Sequence, residues 1–338
     1  MPTRRQFLQS FSAAALTGVG MGSDRGPTGV GYVSQWGRTG VGYVSDTCRT
    51  GVGPVSETGR TGVGHQSGSQ PRKAVLISML DAKLSYRARF DLARGAGFEA
   101  IEMQTISNSD EAAEIRAAAE GAGLRIHSVM NADHWRYPLS SSDPETVNRS
   151  VAGMETSLRN AALWRADAVL LVPAVVDAKT SYRDAWTRSQ QVIRSRLLPL
   201  AQELRVMIAV EEVWNKFLLS PLEFARYVDE LDSPWLKAYF DVGNIVFYAF
   251  PQDWIRTLGA RIAKVHLKDF QLDRSNGRFY WRNIGDGDID WQEVRRAFSD
   301  VGYAGYMTTE VTGGDAAYLK DLAARVDRFL SGAKPVDR

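Results

Sequence analysis

The sequence predicts a (β/α)8 TIM barrel over residues 72–338, preceded by a disordered Gly-rich leader, and three observations carry that reading. Short apolar runs alternate with longer amphipathic ones eight times, the pattern of a parallel sheet wrapped in helices. The alternating part has the usual size of such a barrel, roughly 250 residues. No G-x-G-x-x-G turn follows the first run, where a doubly wound dinucleotide-binding sheet would place one.

The leader comes first. Residues 1–27 open with Thr3-Arg4-Arg5-Gln6-Phe7-Leu8 and a modestly apolar stretch through Leu16. Paired arginines before a short apolar run resemble a twin-arginine export signal, and Gln9, Ser10, Ser12 and Thr17 leave the run too polar and short to span a bilayer. The expected location is periplasmic or otherwise exported, and cytoplasmic if that signal does not operate. Stable membrane insertion is not expected.

Over residues 28–71 an 11-residue unit repeats, from Thr28 to Arg38, Thr39 to Arg49 and Thr50 to Arg60, with a degenerate copy from Thr61 to Pro71. Glycine at two or three positions per unit removes helix propensity and leaves little to bury, so the repeat reads as a flexible linker. Trp36, Cys48 and His65 lie within it, with no chemical role expected.

Composition agrees with that division. Half of the 30 glycines lie before residue 72, and hydrophobic residues make up 44% of the chain against 24% charged, enough for a sizeable core. A net charge of +2 supplies little field for holding a phosphate backbone, which argues against a nucleic-acid binder. Cys48 is the sole cysteine, which excludes an internal disulfide framework and a thiolate metal cage.

The expected strands are Ala74–Met79, Ala100–Met103, Leu124–Val129, Ala168–Val172, Val206–Val210, Leu236–Phe240, Ile262–Leu267 and Tyr306–Thr309. Helical patterns between them include Asp110–Glu120, Pro144–Trp164, Tyr182–Leu204, Pro221–Leu231 and Ala316–Leu330. Ser220-Pro221 places proline at a first helical position, and Asp290 with Glu293 reads as an N-cap pair.

Barrel chemistry gathers at the carboxyl ends of the strands. In the fifth strand, period-two alternation turns Met207, Ala209 and Glu211 toward the barrel axis; Glu212 replaces Glu211 if the register breaks there. The next three strands end near Asp241, His266 and Glu310. Singly, each has a structural reading: Asp241 as a turn cap, His266 as a core histidine, Glu310 as the partner of a lysine. Together, carboxylates with one imidazole and no thiolate suit a divalent cation such as Mn²⁺, Mg²⁺ or Co²⁺.

Five segments then carry a resemblance: EEVWNKFLLSP from Glu211, FDVGN from Phe240, VHLKDF from Val265, GDGDIDW from Gly285, and Glu310. They resemble the sugar phosphate isomerase/epimerase group of xylose isomerase-like barrels. The resemblance implies a metal held by Glu211, Asp241, His266 and Glu310, with Glu211 and Glu310 also exchanging protons through an enediolate. One departure stands out, because the ketose 3-epimerases of that group usually carry histidine where this chain has Asn244.

Lys268 is expected either to orient a substrate hydroxyl or screen enediolate charge, or to pair with Asp269. Glu102 and His127, placed at the ends of the second and third strands, are candidates to bind a sugar or polyol, and Trp214 is a candidate face for sugar C–H groups. No arginine cluster points to a phosphorylated substrate. A metal-dependent sugar or inosose dehydratase is the alternative enzyme, and a non-catalytic sugar-binding barrel the alternative from another class. The oligomeric state is not legible.

Overall fold

The computed structural model describes residues 70–337. The expected export signal and almost all of the glycine-rich repeat lie outside the described residues.

Eight parallel strands close into a barrel in the order β1-β10-β7-β6-β5-β4-β3-β2. These are β1 (Arg72–Leu76), β2 (Ala100–Gln104), β3 (Arg125–Met130), β4 (Ala168–Leu171), β5 (Met207–Glu211), β6 (Leu236–Asp241), β7 (Ile262–Leu267) and β10 (Tyr306–Thr309). The ring is sealed where Arg72 pairs with Tyr306 and Val75 with Thr309. Their runs are apolar on both faces because helices cover the outside and side-chain layers fill the inside; all four residues of β4 are buried.

Between the strands lie α1 (Tyr86–Ala96), α2 (Ser109–Ala122), α3 (Pro144–Trp164), α4 (Tyr182–Val192), α5 (Leu198–Leu204), α6 (Pro221–Leu231), α7 (Pro251–Leu258), α8 (Trp291–Asp300) and α9 (Ala316–Leu330). The expected caps are present: Ser220 accepts from the Glu223 amide at the start of α6, and Asp290 from the Glu293 amide at the start of α8. Each satisfies an amide that the first helical turn leaves without a partner.

Two elements depart most from the sequence reading. β1 stops at Leu76, and Ile77–Met79 coil into a 3₁₀ turn closed by the Leu80 amide on the Ile77 carbonyl. The helix expected over Tyr182–Leu204 is divided by a π turn at Ile193–Leu197. Pro199 accounts for the division, since its ring cannot donate to the Ser195 carbonyl and would clash with it in a regular helix.

The segment after β7 adds an element that its sequence does not announce. It forms an antiparallel hairpin of β8 (Asp269–Asp273) and β9 (Arg278–Arg282), outside the barrel sheet. The Asp269 carboxylate clasps its return, accepting from the amides of Phe270, Gly285 and Gly287 and from Trp291 Nε1 at 2.8–3.0 Å. A Cβ on Gly287 would lie 2.2 Å from Asp269 Oδ1, so the chain can pass there only as glycine. The clasp therefore fixes how the hairpin stands over the carboxyl rim.

Among the described residues no helix is long and apolar enough to cross a membrane.

Candidate functional site

The rim of β5, β6, β7 and β10 brings four side chains together. Glu211 and Asp241 are the last residues of their strands, His266 is the last but one of β7, and Glu310 directly follows β10. His266 Nδ1 lies 2.8 Å from Glu211 Oε1, 3.0 Å from Glu310 Oε2 and 3.8 Å from Asp241 Oδ2. One ligand atom from each of the four falls within 4.8 Å of the others, and all but half-buried Glu310 are buried.

Each position has a local cause. The Glu310 amide donates to the Leu267 carbonyl and so carries the β10 ladder one step past the strand. Asp241 divides its carboxylate: Oδ1 caps the turn by accepting from the amides of Gly243 and Asn244 at 2.8 and 2.9 Å, while Oδ2 faces the cluster. The turn-capping role and the cluster role thus coexist in one side chain.

Glu211, not Glu212, reaches the cluster. Glu212 Oε1 accepts from the Asp241 amide at 2.9 Å, while its Oε2 is buried without a hydrogen-bond partner. Burial, and then the charges of Asp241 and Glu211, push the Glu212 carboxyl well above its ordinary range. Asn244 is equally committed, its amide donating to the Glu212 carbonyl at 2.9 Å.

Below this layer, Glu102 Oε2 meets His266 Nε2 at 3.1 Å, and the Tyr239 hydroxyl donates to the same oxygen. Burial opposes charging of His266, but Glu102 and Glu211 outweigh it and raise the ring to about 9. Both ring nitrogens then carry protons. Taking up a cation would require loss of the Nδ1 proton, while Nε2 keeps its proton and donates it to Glu102.

The strand-end placement of Glu102 and His127 is corrected. Each is the third residue of its strand, because β2 runs on to Gln104 and β3 to Met130. Glu102 therefore sits under the cluster, held by His266 and Tyr239. His127 stacks on Tyr306 with ring centroids 4.7 Å apart and shares Thr308 Oγ1 at 2.9 Å. Burial, reinforced by Lys264, holds its imidazole well below the usual range, hence neutral.

Lys268 does not pair with Asp269, whose oxygens are filled by the clasp. Its Nζ lies 2.7 Å from Asp241 Oδ2 and 3.2 Å from Glu310 Oε2, and 4.9 Å above the Trp281 ring. Trp214 stands in an aromatic wall with Phe247, Phe270, Phe279 and Trp281, its Nε1 anchored on the Asn244 carbonyl at 2.7 Å. Tyr239 and Trp281 escaped the sequence reading. Period-two spacing from Asp241 could have found Tyr239, whereas nothing local distinguished Trp281 from a loop tryptophan.

The donor set fits a divalent cation. Four buried or half-buried carboxylates, of Glu102, Glu211, Asp241 and Glu310, crowd around His266 and Lys268, leaving negative charge that burial penalises unless a cation joins them. Three oxygen donors and one imidazole nitrogen suit Mn²⁺, Mg²⁺ or Co²⁺.

Residues 90–328 match the family described as Xylose isomerase-like TIM barrel. The chain is 28% identical over 244 residues to the putative L-ribulose-5-phosphate 3-epimerase SgbU of Escherichia coli strain K12, covering 68% of this chain and 84% of that protein. It is 27% identical over 262 residues to the L-ribulose-5-phosphate 3-epimerase UlaE of Escherichia coli strain ATCC 8739, covering 73% and 88%. Among solved structures it shares the fold of a D-allulose 3-epimerase from Methylomonas sp., with a TM-score of 0.64 at 17% identity over 78% of this chain and 98% of that one. The chain belongs to the xylose isomerase-like TIM barrel family and is an isomerase of its sugar epimerase/isomerase group.

Proposed function

We propose that this protein is a divalent-metal-dependent sugar isomerase/epimerase that moves a proton beside a carbonyl, with Glu211 and Glu310 as its acid and base. The observation that carries this reading is the approach of both carboxylates to one ring atom, Glu211 at 2.8 Å and Glu310 at 3.0 Å from His266 Nδ1. Two bases flanking one point can serve a carbon whose proton leaves toward one side and returns from the other.

Glu211, Asp241, His266 and Glu310 would hold the metal. When bound, such an ion supplies Lewis-acid polarisation of a carbonyl and its neighbouring hydroxyl. One glutamate then removes the proton between them, giving an enediolate, and the other returns a proton. Return to the same carbon inverts it, and return to the adjacent carbon interchanges aldose and ketose. Lys268, in contact with Asp241 and Glu310, supports negative charge developing at that edge. Trp214 and its aromatic wall screen the site from water and offer apolar faces to sugar C–H groups. The substrate is a sugar or polyol, and the twin-arginine leader directs the protein to export.

Incubating the Mn²⁺-loaded protein in D₂O with ketoses and aldoses tests the reading. Deuterium entering the carbon beside the carbonyl, together with an epimer or isomer, is the expected result. A dehydrated product would assign a lyase instead, and binding without exchange would leave a sugar-binding barrel.

A further inference from the structure

Beside the carboxylate cluster, a concavity of about 310 Å³ lies between the segments that follow β7 and β10. Arg282, Asn283 and Asp286 line one side with Trp281, and Thr312 and Tyr318 line the other. It adjoins the cluster at two points. Lys268 Nζ sits 4.9 Å above the Trp281 ring, and Thr312 is two residues beyond Glu310. In this barrel class the loops after the last two barrel strands, with a helix N-terminus, are a common seat for a substrate phosphate. The charge of this cavity therefore decides which end of a substrate it takes.

The charged groups of this cavity balance one another and are already engaged, so among the described residues no cation is left free there to grip a phosphate. Arg282, the cation on its wall, turns Nε and Nη2 to Gln271 Oε1 at 3.0 and 2.7 Å. Asp286 brings a carboxylate, and the Arg325 guanidinium 3.0 Å from it is shared with Asp321 at 2.7 Å. The start of α9 is closed by its own acid, Asp315 accepting from the Tyr318 amide at 2.9 Å. A phosphate dianion there would meet the Asp286 carboxylate, and of the two nearby guanidiniums Arg325 is already shared between Asp286 and Asp321 while Arg282, still cationic, is held by Gln271. What remains suits an uncharged sugar: the exposed Trp281 face, the Thr312 hydroxyl, and the Tyr318 hydroxyl donating to Asn283 Oδ1 at 2.8 Å.

We infer that this cavity receives the uncharged, hydroxylated distal end of an unphosphorylated ketose, so that the chain discriminates against sugar phosphates. The inference rests on the isomerase/epimerase reading of the neighbouring cluster. It sets this chain apart from relatives named for L-ribulose 5-phosphate.

Two matched pairs test it: L-ribulose with L-ribulose 5-phosphate, and D-fructose with D-fructose 6-phosphate. Each is titrated calorimetrically into the Mn²⁺-loaded full chain and followed separately for deuterium uptake from D₂O. The unphosphorylated member of at least one pair should bind and exchange roughly 100-fold better than its phosphate, the scale of a like-charge penalty of a few kcal/mol. Trp281→Ala should raise KM for that ketose with a smaller change in kcat, and Asp286→Asn should narrow the gap by admitting the phosphate. A phosphate that binds as tightly as its parent ketose, no binding by any of the four, or a ratio unmoved by both variants would overturn the inference. Preferred binding of a free ketose without deuterium uptake would uphold the discrimination and contradict the proposed reaction.

Discussion

The two ends of the barrel interior both bury charge, and they compensate it differently. At the amino end, Lys264 is buried with Nζ 2.5 Å from Asp167 Oδ1 and 5.3 Å from the Tyr306 ring centre. Arg125 joins Asp167 at 3.2 Å, Arg72 stacks 4.1 Å over Tyr306, and both arginines reach water. Burial lowers the Lys264 ammonium from its usual range, and Asp167 opposes that shift. Each charge there has a partner, an aromatic face or solvent. At the carboxyl end, acids outnumber Lys268 and His266 within the cluster and its supports. The first arrangement is complete by itself; the second would need a cation to complete it. Buried charge marks a functional site only where its compensation is left unfinished.

The sharpest way to break this comparison is to remove a base and leave the fold alone. Glu310→Gln keeps an oxygen that can face a metal but cannot accept a proton, so turnover should fall by about two to four orders of magnitude while metal content falls far less. Glu211→Gln should do the same from the other face. Deuterium uptake into recovered substrate, measured for both variants, assigns a face to each base. Near-wild-type rates in both would remove the two-glutamate mechanism.

A smaller effect is expected one layer down. Glu102→Gln weakens the hold on His266 Nε2 without touching the cluster oxygens, so metal affinity should drop by roughly 10–100-fold with the melting temperature little changed. Titration with Mn²⁺ followed by electron paramagnetic resonance measures it. Unaltered affinity would make Glu102 a packing residue.

The smallest effect belongs to the amino end. Lys264→Met should cost about 1–2 kcal/mol in urea unfolding, since half-exposed Asp167 recovers water once its partner is gone. Activity of the folded variant should be unchanged. A loss of turnover matching that of Glu310→Gln would show that the two ends are not separable.

How much of this was legible depended on what kind of signal each residue leaves. Strands whose both faces are apolar announce themselves, and all eight were placed within two or three residues of their observed ends. Glu211, Asp241, His266 and Glu310 were legible as a set because strand ends converge in a barrel whatever the loops do. Glu211 could be chosen over Glu212 by alternation alone, but the reason Glu212 turns away, its bond to the Asp241 amide, exists only between strands. Glu102 illustrates the opposite case. Its strand continues two residues past it, so a residue read as rim became a support under His266. The β8–β9 hairpin was hidden because its register depends on the Asp269 clasp, made with residues 16 to 22 positions further on.

The most direct measurement is divalent metal content after dialysis, in wild type and in the His266→Ala, Glu211→Gln and Glu212→Gln variants, each checked for an intact fold by circular dichroism. One ion per chain in wild type and Glu212→Gln, none retained by His266→Ala, and weakened retention by Glu211→Gln is the expected result. Full metal content in His266→Ala, or loss in Glu212→Gln with retention in Glu211→Gln, would contradict the assignment of the cation to this cluster.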